Sequence, residues 1–457
     1  MNYISTRGGS ESLPLAGLLT RGTASNGGLF VPQHWPVVTS NLLAGEYAEI
    51  AARVLQMFGG ESLPDGLIEN AINTAMKKFS APVGPPVNPL GDRLWTLELM
   101  HGPTLAFKDF ALAPLAEIID SKLKHEDNRA TVLCATSGDT GAATVSAFAN
   151  RERVNVVVLF PDGGVSEFQR KQMTTTGANN ILPLCVDGDF DDCQRTVKKL
   201  YQTEAAKRYG YTAVNSINIV RILLQTSYYL RTSGLINKST GQRSNYFVPT
   251  GNFGNVYAAY IAKQLGAPID TLVVTSNDND VLPRFFETRR MQGTQTVKTI
   301  SPSMDIQVSS NFERLLWHIK QKDTNAVDQA QHALETSGCY ELTDTEMRRL
   351  ESDFKAARCT EAQALSAIQQ VWQKHNKIIC PHTATAYHAA ENMAGSIGGQ
   401  NVIVETAHPA KFSPAVERAI GQIPEVPGHV KSQFTQSEQF QRVAIDEVQQ
   451  AIDARFG

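Results

Sequence analysis

Short apolar runs alternate with amphipathic segments through the middle of the chain. Each run is followed by a turn and then, in most cases, by apolar positions at helical spacing, and the runs lie at residues 131–135, 154–160, 179–188, 244–250 and 267–277. Continuous apolar strands that alternate with helices are typical of parallel sheets covered on both faces. We therefore predict an α/β fold of parallel-sheet domains flanked by helices.

The two ends of the chain have a different pattern. Residues 1–80 indicate a mostly helical N-terminal domain, and the proline-rich segment 81–94 indicates a linker. Residues 310–375 are dotted with charges and predict helices without strands, whereas residues 401–412 return to a strand. Residues 301–316 are interpreted as a loop that lines a pocket.

Composition and charge disfavour several classes of function. The formal net charge of the 457-residue chain is −3, which gives no electrostatic footprint for nucleic acid or an anionic membrane. No apolar stretch approaches the roughly 18 residues of a membrane span, and no signal peptide is evident. The six cysteines form no C-x-x-C pair and are expected to be reduced thiols, which favours a cytoplasmic protein.

Lys108 follows the apolar residues of "HGPTLAF" at the beginning of a helical pattern. One interpretation is an ordinary lysine at the start of a helix, with its ammonium group in water. The other is a desolvated lysine that forms a Schiff base with a carbonyl group. The position of Lys108 by itself is compatible with both.

Two glycine-bearing loops lead from predicted strands into helices. In "PTGNFGNVYAAY", residues 249–260, Gly251 and Gly254 allow the backbone to approach an anion at the N-terminus of a helix. In "TSGDTGAA", residues 136–143, hydroxyl and N–H groups would form a cradle for a substrate carboxylate. A structural turn and a capped helix are the alternatives for the two loops.

Two anion-binding loops and a Schiff-base lysine together indicate pyridoxal phosphate as the cofactor. Its aldehyde requires a lysine, its phosphate requires a loop of N–H groups, and its ring nitrogen requires one further partner. Neither a Walker loop nor a complete dinucleotide-binding fingerprint is present, which disfavours a nucleotide-binding protein.

Five segments, taken together and in this order, resemble the threonine synthase family. They are "HGPTLAFKDFAL", "TSGDTGAA", "GNFGN", "CPHTATAY" and "ETAHPAKF", and the N-terminal "YISTRG" and "GGLFVP" resemble it too. The resemblance implies pyridoxal-phosphate fold type II, of the tryptophan-synthase-β fold group. One departure is Asn26, where the family's pattern has aspartate.

The resemblance also implies a reaction and residue roles. O-phospho-L-homoserine and water would give L-threonine and phosphate by γ-elimination and β-addition of water, the last step of threonine biosynthesis. Lys108 would be the catalytic residue and hold the cofactor, and Thr406 would face its ring nitrogen. The cofactor phosphate would be bound by Gly251, Asn252, Phe253, Gly254 and Asn255. The substrate would be bound by Ser137, Gly138, Asp139 and Thr140.

The substrate phosphate needs further cationic or polar partners. Asn218 and Arg221 share one face of a predicted helix, and Arg221 is a charge among apolar residues that needs a partner. Arg170 and Lys171 are further candidates. The alternatives are a buried structural pair for Arg221 and surface salt bridges for Arg170 and Lys171.

Three histidines, His375, His382 and His388, fit no zinc spacing, so we predict no metal site. His101, Thr104 and His408 are expected to shape the pocket, and Asp109 to cap a helix or orient its neighbours. A serine or threonine dehydratase, a sulfhydrylase and a non-catalytic relative of the same fold are the rival functions. The predicted partners are the small-molecule substrate and, at most, a second copy of the chain.

The predicted domains follow from these assignments. They are an N-terminal domain, residues 1–94; a large cofactor-binding domain, residues 95–130 and 215–457; and a small α/β domain, residues 131–214.

Overall fold

The computed structural model describes residues 1–36, 42–393 and 395–457. Its strands in chain order are β1 Asn2–Ser5, β2 Ser12–Pro14, β3 Phe30–Pro32, β4 Val87–Gly91, β5 Leu94–Glu98, β6 Ala130–Ala135, β7 Val154–Pro161, β8 Ile181–Val186, β9 Tyr211–Thr212, β10 Ser244–Pro249, β11 Ile269–Ser276, β12 Arg290–Gln292, β13 Cys339–Glu341, β14 Phe354–Arg358, β15 Gln400–Glu405 and β16 Gln441–Val443.

The α-helices in chain order are α1 Leu15–Leu18, α2 Tyr47–Met57, α3 Leu67–Met76, α4 Asp109–His125, α5 Asp139–Phe148, α6 Glu167–Thr174, α7 Phe190–Leu200, α8 Glu204–Arg208, α9 Ile219–Thr240, α10 Gly254–Gln264, α11 Val281–Thr288, α12 Phe312–Ile319, α13 Thr324–Ser337, α14 Asp344–Glu351, α15 Glu361–His375, α16 Pro381–Met393, α17 Ser413–Ile420, α18 Gly428–Lys431 and α19 Val448–Phe456. Short 3-10 helices lie at Gly60–Ser62, Pro302–Met304, Pro409–Phe412, Ser432–Thr435 and Ile445–Glu447. None of the helices in these parts of the chain is long and apolar enough to cross a membrane.

The larger sheet has six strands in the order β14-β11-β10-β15-β5-β4. All neighbours are parallel except β4 and β5, which form an antiparallel pair at one edge. The inner strands β10 and β15 are buried along their whole length, since helices cover both faces. The sheet therefore confirms the prediction of parallel strands flanked by helices.

The smaller sheet has five parallel strands in the order β16-β8-β7-β6-β9. Its strand β16 comes from the C-terminal end of the chain, and α19 packs Val448 and Ile452 into the same apolar cluster as Leu184. The C-terminal segment thus lies on the sheet formed by residues 130–212. The domain limits given above remain a prediction.

Two local predictions differ from the structure. The proline-rich segment expected to be a linker contains β4, an edge strand where Pro89 needs no ladder hydrogen bond from its nitrogen. The prediction of no strand in residues 310–375 was wrong, because β13 and β14 lie there. Strand β14 has the sequence "FKAAR", whose alanines and lysine are depleted in strands, and it forms by pairing with β11.

The N-terminal segment combines helices α1 to α3 with a small antiparallel sheet of order β2-β1-β3, which the sequence analysis did not predict. The side chain of Asn26 is hydrogen-bonded to strand β1 and to the loop that follows β1. Its Oδ1 accepts from Ser5 Oγ and from the Gly28 N–H, and its Nδ2 donates to the Gly8 carbonyl oxygen at 2.8 Å. The last bond requires an amide donor that an aspartate lacks.

Candidate active site

A cavity of about 700 Å³, counting its open mouth, lies at the carboxyl ends of strands from both large sheets. Its wall includes the loop before α4, the start of α5, the loop between β10 and α10, and the turn after β15, and α9, the 3-10 helix Pro302–Met304 and α16 contribute further side chains. Ligand sites in parallel α/β sheets form at this edge because the loops that enter helices converge there.

The segment that carries Lys108 is attached to the turn after β15. The Phe107 N–H donates to the Thr406 carbonyl oxygen at 2.9 Å, and the His408 N–H donates to the Leu105 carbonyl oxygen at 3.0 Å. Leu105 has a φ of 62°, a left-handed conformation that a leucine adopts only when its surroundings impose it. These contacts place Lys108 and Thr406 in the wall of the same cavity.

Lys108 lies immediately before α4, and 11% of its side chain is exposed. Its Nζ is 3.4 Å from Asp139 Oδ2 and 4.8 Å from the centre of the Phe107 ring. Burial lowers the pKa of Lys108; Asp139 opposes that effect, and the positive charges of Lys411 and Arg221 add to it. A lysine in this position gives up its proton more readily than a lysine in water.

Asp139 is a buried carboxylate at the beginning of α5, with 4% of its side chain exposed. Its Oδ1 is 2.8 Å from Lys411 Nζ and accepts from Gln169 Nε2 at 3.0 Å. Its Oδ2 faces Lys108 Nζ and Ser303 Oγ, each at 3.4 Å. Burial alone would raise the pKa of Asp139, but the two lysines more than offset this and hold it well below the ordinary value.

Asp109 organises the loop before Lys108. Its two carboxylate oxygens accept from the Thr104 N–H at 2.8 Å and from Thr104 Oγ1 at 2.6 Å. Gly102 packs against it so closely that a Cβ atom there would lie 2.4 Å from the Asp109 side chain. Asp109 therefore has the orienting position predicted for it, one residue beyond Lys108.

The loop between β10 and α10 presents the N-terminus of a helix to the cavity. Two carbonyl oxygens of this loop already accept hydrogen bonds from protein side chains: Ser309 Oγ donates to the Gly251 oxygen, and Asn311 Nδ2 donates to the Asn252 oxygen. The first N–H groups of a helix have no intrahelical acceptor. Residues 251–255 all line the cavity, so these donors are available to an anion.

Close packing holds this loop in shape. Phe253 has a φ of 64°, and its ring is fixed edge-on against Phe312 at a centroid distance of 5.2 Å. A Cβ atom at Gly251 would lie 2.8 Å from the Ser303 carbonyl oxygen, so this position requires glycine. The 3-10 helix Pro302–Met304 therefore lies directly over the loop, and Ser303 and Met304 line the cavity as the pocket prediction for residues 301–316 expected.

His382 faces Lys108 from α16. Its Nε2 accepts from the Ser303 N–H at 3.3 Å, which places the ring proton on Nδ1. Burial is the main reason that the pKa of His382 is lowered to about 3, and Lys108 and Lys411 lower it further. The ring is therefore neutral at neutral pH.

Arg221 is a buried cation in the cavity wall without a carboxylate partner in the described chain. Its side chain is 2% exposed, one terminal nitrogen donates to the Val214 carbonyl oxygen at 2.8 Å, and its Nε has no acceptor. Burial lowers the pKa of Arg221 to about 10. Among the described residues, Arg221 therefore does not form the buried ion pair that was the alternative for it.

The residues in the wall fit an anionic, polar group such as pyridoxal phosphate. Buried atoms without a hydrogen-bond partner in the described residues are a signal of a missing ligand. Four of them belong to side chains that line this cavity: Arg221 Nε, Gln225 Oε1, Asn255 Nδ2 and His382 Nδ1. Together with Lys108 and the N–H groups of the glycine loop, these side chains provide an amine, several donors and one acceptor, Gln225 Oε1, around the space.

Comparison with known families agrees with this fit. Residues 85–406 match the family model described as pyridoxal-phosphate dependent enzyme, residues 2–76 match threonine synthase N terminus, and residues 383–452 match threonine synthase, C-terminal. The chain is also 38% identical to the threonine synthase of Pseudomonas aeruginosa, over 96% of this chain and 94% of that protein. The chain belongs to the threonine synthase family.

Further relatives span bacteria and yeast. The threonine synthase of Saccharomyces cerevisiae is 33% identical over 92% of this chain and 89% of its own length. The solved structure of PLP-bound threonine synthase from Brucella melitensis has a TM-score of 0.94 at 36% identity and covers 100% of this chain and 99% of that chain. The predictions of the family, of fold type II and of pyridoxal phosphate are confirmed.

Not every predicted site residue of this threonine synthase family member reaches the cavity. Asn218 begins α9 with its Oδ1 bonded to the Val220 N–H, and its Nδ2 donates to the carbonyl oxygens of Leu18 and Leu19. Its side chain is fully engaged there and does not line the cavity. Two further candidates form salt bridges elsewhere, Arg170 with Glu438 at 2.9 Å and Lys171 with Glu167 at 2.8 Å.

The loop before α5 has a different cap from the one considered in the sequence analysis. Thr136 Oγ1 accepts from the N–H groups of Gly138 and Gly141, each at 2.9 Å, and no side chain caps the helix at its N-cap residue Gly138. A Cβ atom at Gly138 would lie 2.3 Å from the Gln169 side chain. Asp139 and Thr140 line the cavity, while the half-buried Ser137 lies beside them in sequence.

The sequence analysis gave no individual role to four cavity residues, Gln225, Ser303, Met304 and His382, or to Lys411, which contacts the cavity residue Asp139. His382 and Lys411 belong to the quoted segments "CPHTATAY" and "ETAHPAKF", so the signal was present without a role attached to it. Gln225 follows Arg221 by one helical turn, a spacing that would have placed both on one face. Ser303 and Met304 carry no local signal.

Proposed function

We propose that this chain converts O-phospho-L-homoserine and water into L-threonine and inorganic phosphate, the last step of threonine biosynthesis. The observation that carries the proposal is the content of one cavity. The same space is lined by Lys108, a lysine with lowered proton affinity, by a helix N-terminus at residues 251–255, and by Arg221, a buried arginine that has no counter-ion among the described residues. This set suits a substrate and a cofactor that each carry a phosphate.

Lys108 would hold the cofactor through its aldehyde carbon and move protons. When bound, pyridoxal phosphate supplies a conjugated electron sink that makes the hydrogens on the substrate's α- and β-carbons acidic. Lys108 Nζ would accept the proton that leaves Cα, because burial and neighbouring cations favour its neutral form. The same nitrogen would also take a proton from Cβ as phosphate leaves Cγ, and it would return protons to Cγ and to Cα around the addition of water to Cβ.

The loop Gly251, Asn252, Phe253, Gly254 and Asn255 would hold the cofactor phosphate. The N–H groups at the start of α10 and the unpartnered Asn255 Nδ2 are the donors. Asn255 Oδ1 accepts from Tyr229 OH at 2.9 Å, so the amide nitrogen is turned away from that tyrosine. The phosphate would thereby be bound by dipoles on a rigid turn, and Lys108 would be left free for proton transfer.

Thr406 would place its hydroxyl against the ring nitrogen of the cofactor. It lines the cavity directly after β15, and its backbone is fixed by the hydrogen bond from Phe107. A hydroxyl does not hold the ring nitrogen protonated as a carboxylate does. That choice moderates electron withdrawal by the ring and suits elimination and replacement chemistry more than transamination.

The loop Ser137, Gly138, Asp139 and Thr140 would face the substrate's α-carboxylate, with separate roles for its members. Asp139 is an anion paired with two lysines, so it would repel a carboxylate and instead orient the nitrogen of Lys108. The hydroxyl groups of Ser137 and Thr140 are the donors suited to the carboxylate. Asn218, with its amide already engaged, would support α9 and not bind the substrate directly.

Arg221 would bind the phosphate of the substrate. A buried guanidinium without a counter-ion costs stability, and a phosphate group that accepts from Nε would supply both the charge and the missing acceptor. A serine or threonine dehydratase acts on a substrate without a phosphate group, so Arg221 would then meet no phosphate except that of the cofactor. This contrast favours the phosphorylated substrate.

The remaining assignments are part of the same proposal. The domains would be residues 1–94, residues 95–130 with 215–457, and residues 131–214. The protein would act in the cytoplasm as a monomer or homodimer, in keeping with relatives that are biosynthetic enzymes.

The test is release of phosphate together with formation of threonine, measured on purified protein loaded with pyridoxal phosphate and given O-phospho-L-homoserine. Lys108→Ala should lower turnover by at least about 100-fold, since it removes the proton-transfer group. Lys171→Ala, at a surface lysine paired with Glu167, is the matched control and should leave turnover unchanged. Turnover of threonine or serine but not of phosphohomoserine would contradict the proposal and favour the dehydratase.

A further inference from the structure

A second lysine, Lys411, is buried in contact with Asp139. It lies in the 3-10 helix Pro409–Phe412, and none of its side chain is exposed. Its Nζ is 2.8 Å from Asp139 Oδ1 and donates to the Thr104 carbonyl oxygen, also at 2.8 Å. Lys411 is thus held between the loop before Lys108 and the loop before α5.

Asp139 therefore lies between two lysines at unequal distances. Lys411 Nζ is at hydrogen-bond distance from Oδ1, whereas Lys108 Nζ is 3.4 Å from Oδ2. Electrostatic attraction falls with distance, and a hydrogen bond weakens beyond about 3.2 Å. Lys411 consequently takes the larger share of the Asp139 charge, and Lys108 keeps a directional but weaker contact.

We propose that Lys411 is a positioning residue that compensates the charge of Asp139, so that Asp139 orients the Lys108 nitrogen without retaining its proton. The inference rests on the proposed function, in which Lys108 holds the cofactor and transfers protons. It assigns to Lys411 a task that neither Asp139 nor Lys108 performs alone.

The charged and titratable groups around Lys108 support this assignment. Asp139 faces it from α5, Lys411 from the 3-10 helix after β15, Arg221 from α9 and the neutral His382 from α16. A protonated Lys108 would share the Asp139 carboxylate with Lys411, while Arg221 adds a further positive charge that acts on Lys108. Without Lys411, Lys108 would be the nearest cation to the Asp139 carboxylate. The carboxylate would then stabilise the protonated form of Lys108 more strongly, and Lys108 would release its proton less readily.

Asp109 directly follows Lys108 in the chain. Its two carboxylate oxygens accept hydrogen bonds from the N–H group and the hydroxyl group of Thr104. This carboxyl group is thereby directed to the Thr104 backbone and hydroxyl. Asp139 is thus the carboxylate within 4.0 Å of Lys108 in the described chain, and Lys411 is its closest cation. The balance between Asp139 and Lys411 is therefore the variable to test.

The test uses three variants of the cofactor-loaded protein, Lys411→Met, Asp139→Asn and the double variant. The measured quantity is the pH midpoint at which the visible absorbance of the bound cofactor changes as the attached Lys108 nitrogen loses its proton. Lys411→Met should raise the midpoint by about one to two pH units, because Asp139 is no longer compensated. Asp139→Asn should lower it, and the double variant should lie close to the original protein.

Lys411→Arg restores the positive charge and should bring the midpoint back, whereas a purely structural role would leave the midpoint unchanged in every folded variant. Lys320→Met is the matched control, since Lys320 forms a half-buried pair with Glu346 at 2.8 Å away from the cavity. An unchanged or lowered midpoint in folded, loaded Lys411→Met would overturn the proposal.

Two further outcomes keep the test decisive. If Lys411→Met does not fold or load, the double variant decides, because it leaves no uncompensated Asp139 charge. A double variant whose midpoint is as low as that of Asp139→Asn alone would refute a role for Lys411. Loss of the absorbance transition in Lys108→Ala separates this question from the proposed function, which would itself fail if that transition persisted.

Discussion

Replacement of Arg221 by methionine is expected to weaken substrate binding without lowering the stability of the protein. Burial lowers the pKa of Arg221 from its ordinary 12.5 to about 10, which corresponds to about 3 kcal/mol by which folding disfavours the charged side chain. The hydrogen bond to the Val214 carbonyl oxygen returns about 1 to 2 kcal/mol of this. Methionine, of similar length and uncharged, should therefore leave the free energy of unfolding unchanged or raise it by about 1 to 2 kcal/mol.

The same change should weaken the binding of O-phospho-L-homoserine. A charge-assisted contact between a buried guanidinium and a phosphate is worth about 2 to 5 kcal/mol when one partner is removed. At about 1.4 kcal/mol for each factor of ten, kcat/KM should fall by at least about 30-fold. The assays are urea unfolding of the cofactor-free protein and steady-state kinetics of phosphate release.

Arg151→Met provides the matched control, because Arg151 pairs with the mostly buried Glu117 away from the cavity. It should lower the free energy of unfolding, since Glu117 loses a close partner, and it should leave kcat/KM unchanged. The reasoning is refuted if Arg221→Met retains the original kcat/KM, or if it loses as much stability as Arg151→Met.

Two more predictions concern the glycine loop and a buried carboxylate. Gly251→Ala places a Cβ atom 2.8 Å from the Ser303 carbonyl oxygen, so a titration should show at least about tenfold weaker cofactor binding, whereas Gly91→Ala, with open space around it, should bind normally. Normal cofactor affinity in Gly251→Ala would show that the loop can move aside. Burial is the main reason that the pKa of Glu405 is raised from 4.5 to about 7, with Lys377 opposing it. The folded state then binds the extra proton, so stability should fall by up to about 3 kcal/mol as pH rises through this window. Glu405→Gln should remove this slope in urea unfolding at several pH values, and an unchanged slope would contradict the assignment.

The sequence by itself was sufficient for the alternation of the inner strands with helices and for the two glycine-bearing loops that lead into helices. Apolar runs such as residues 154–160 form strands, as predicted. A strand that is buried on both faces is apolar along its length, so its own residues are sufficient to identify it. The glycine loop 251–255 was identifiable for the same reason, since close approach and a helix N-terminus are local requirements. The position of Lys108 at the beginning of a helix was also predicted from the sequence.

The tertiary structure decided which polar groups have partners. Asn218 and Arg221 both lie at the beginning of α9, yet Asn218 donates to the carbonyl oxygens of Leu18 and Leu19, while Arg221 has no carboxylate partner in the part of the chain that the structure describes. Lys411 reaches Asp139 across 272 positions of the chain, and that contact forms only when the turn after β15 meets the start of α5. No local pattern encodes such pairings, because they depend on the packing of distant segments.

The same limit applies to the strands that were missed. β14 has a composition that does not favour strands, and it is stabilised by five paired positions with β11. β16 joins the sheet of residues 130–212 from the far end of the chain through three paired positions with β8. An edge strand takes its conformation from a neighbour that is already ordered, so its own residues need contain little signal. The sequence determined the inner strands and the loops, and long-range packing determined the edges and the charges of the site.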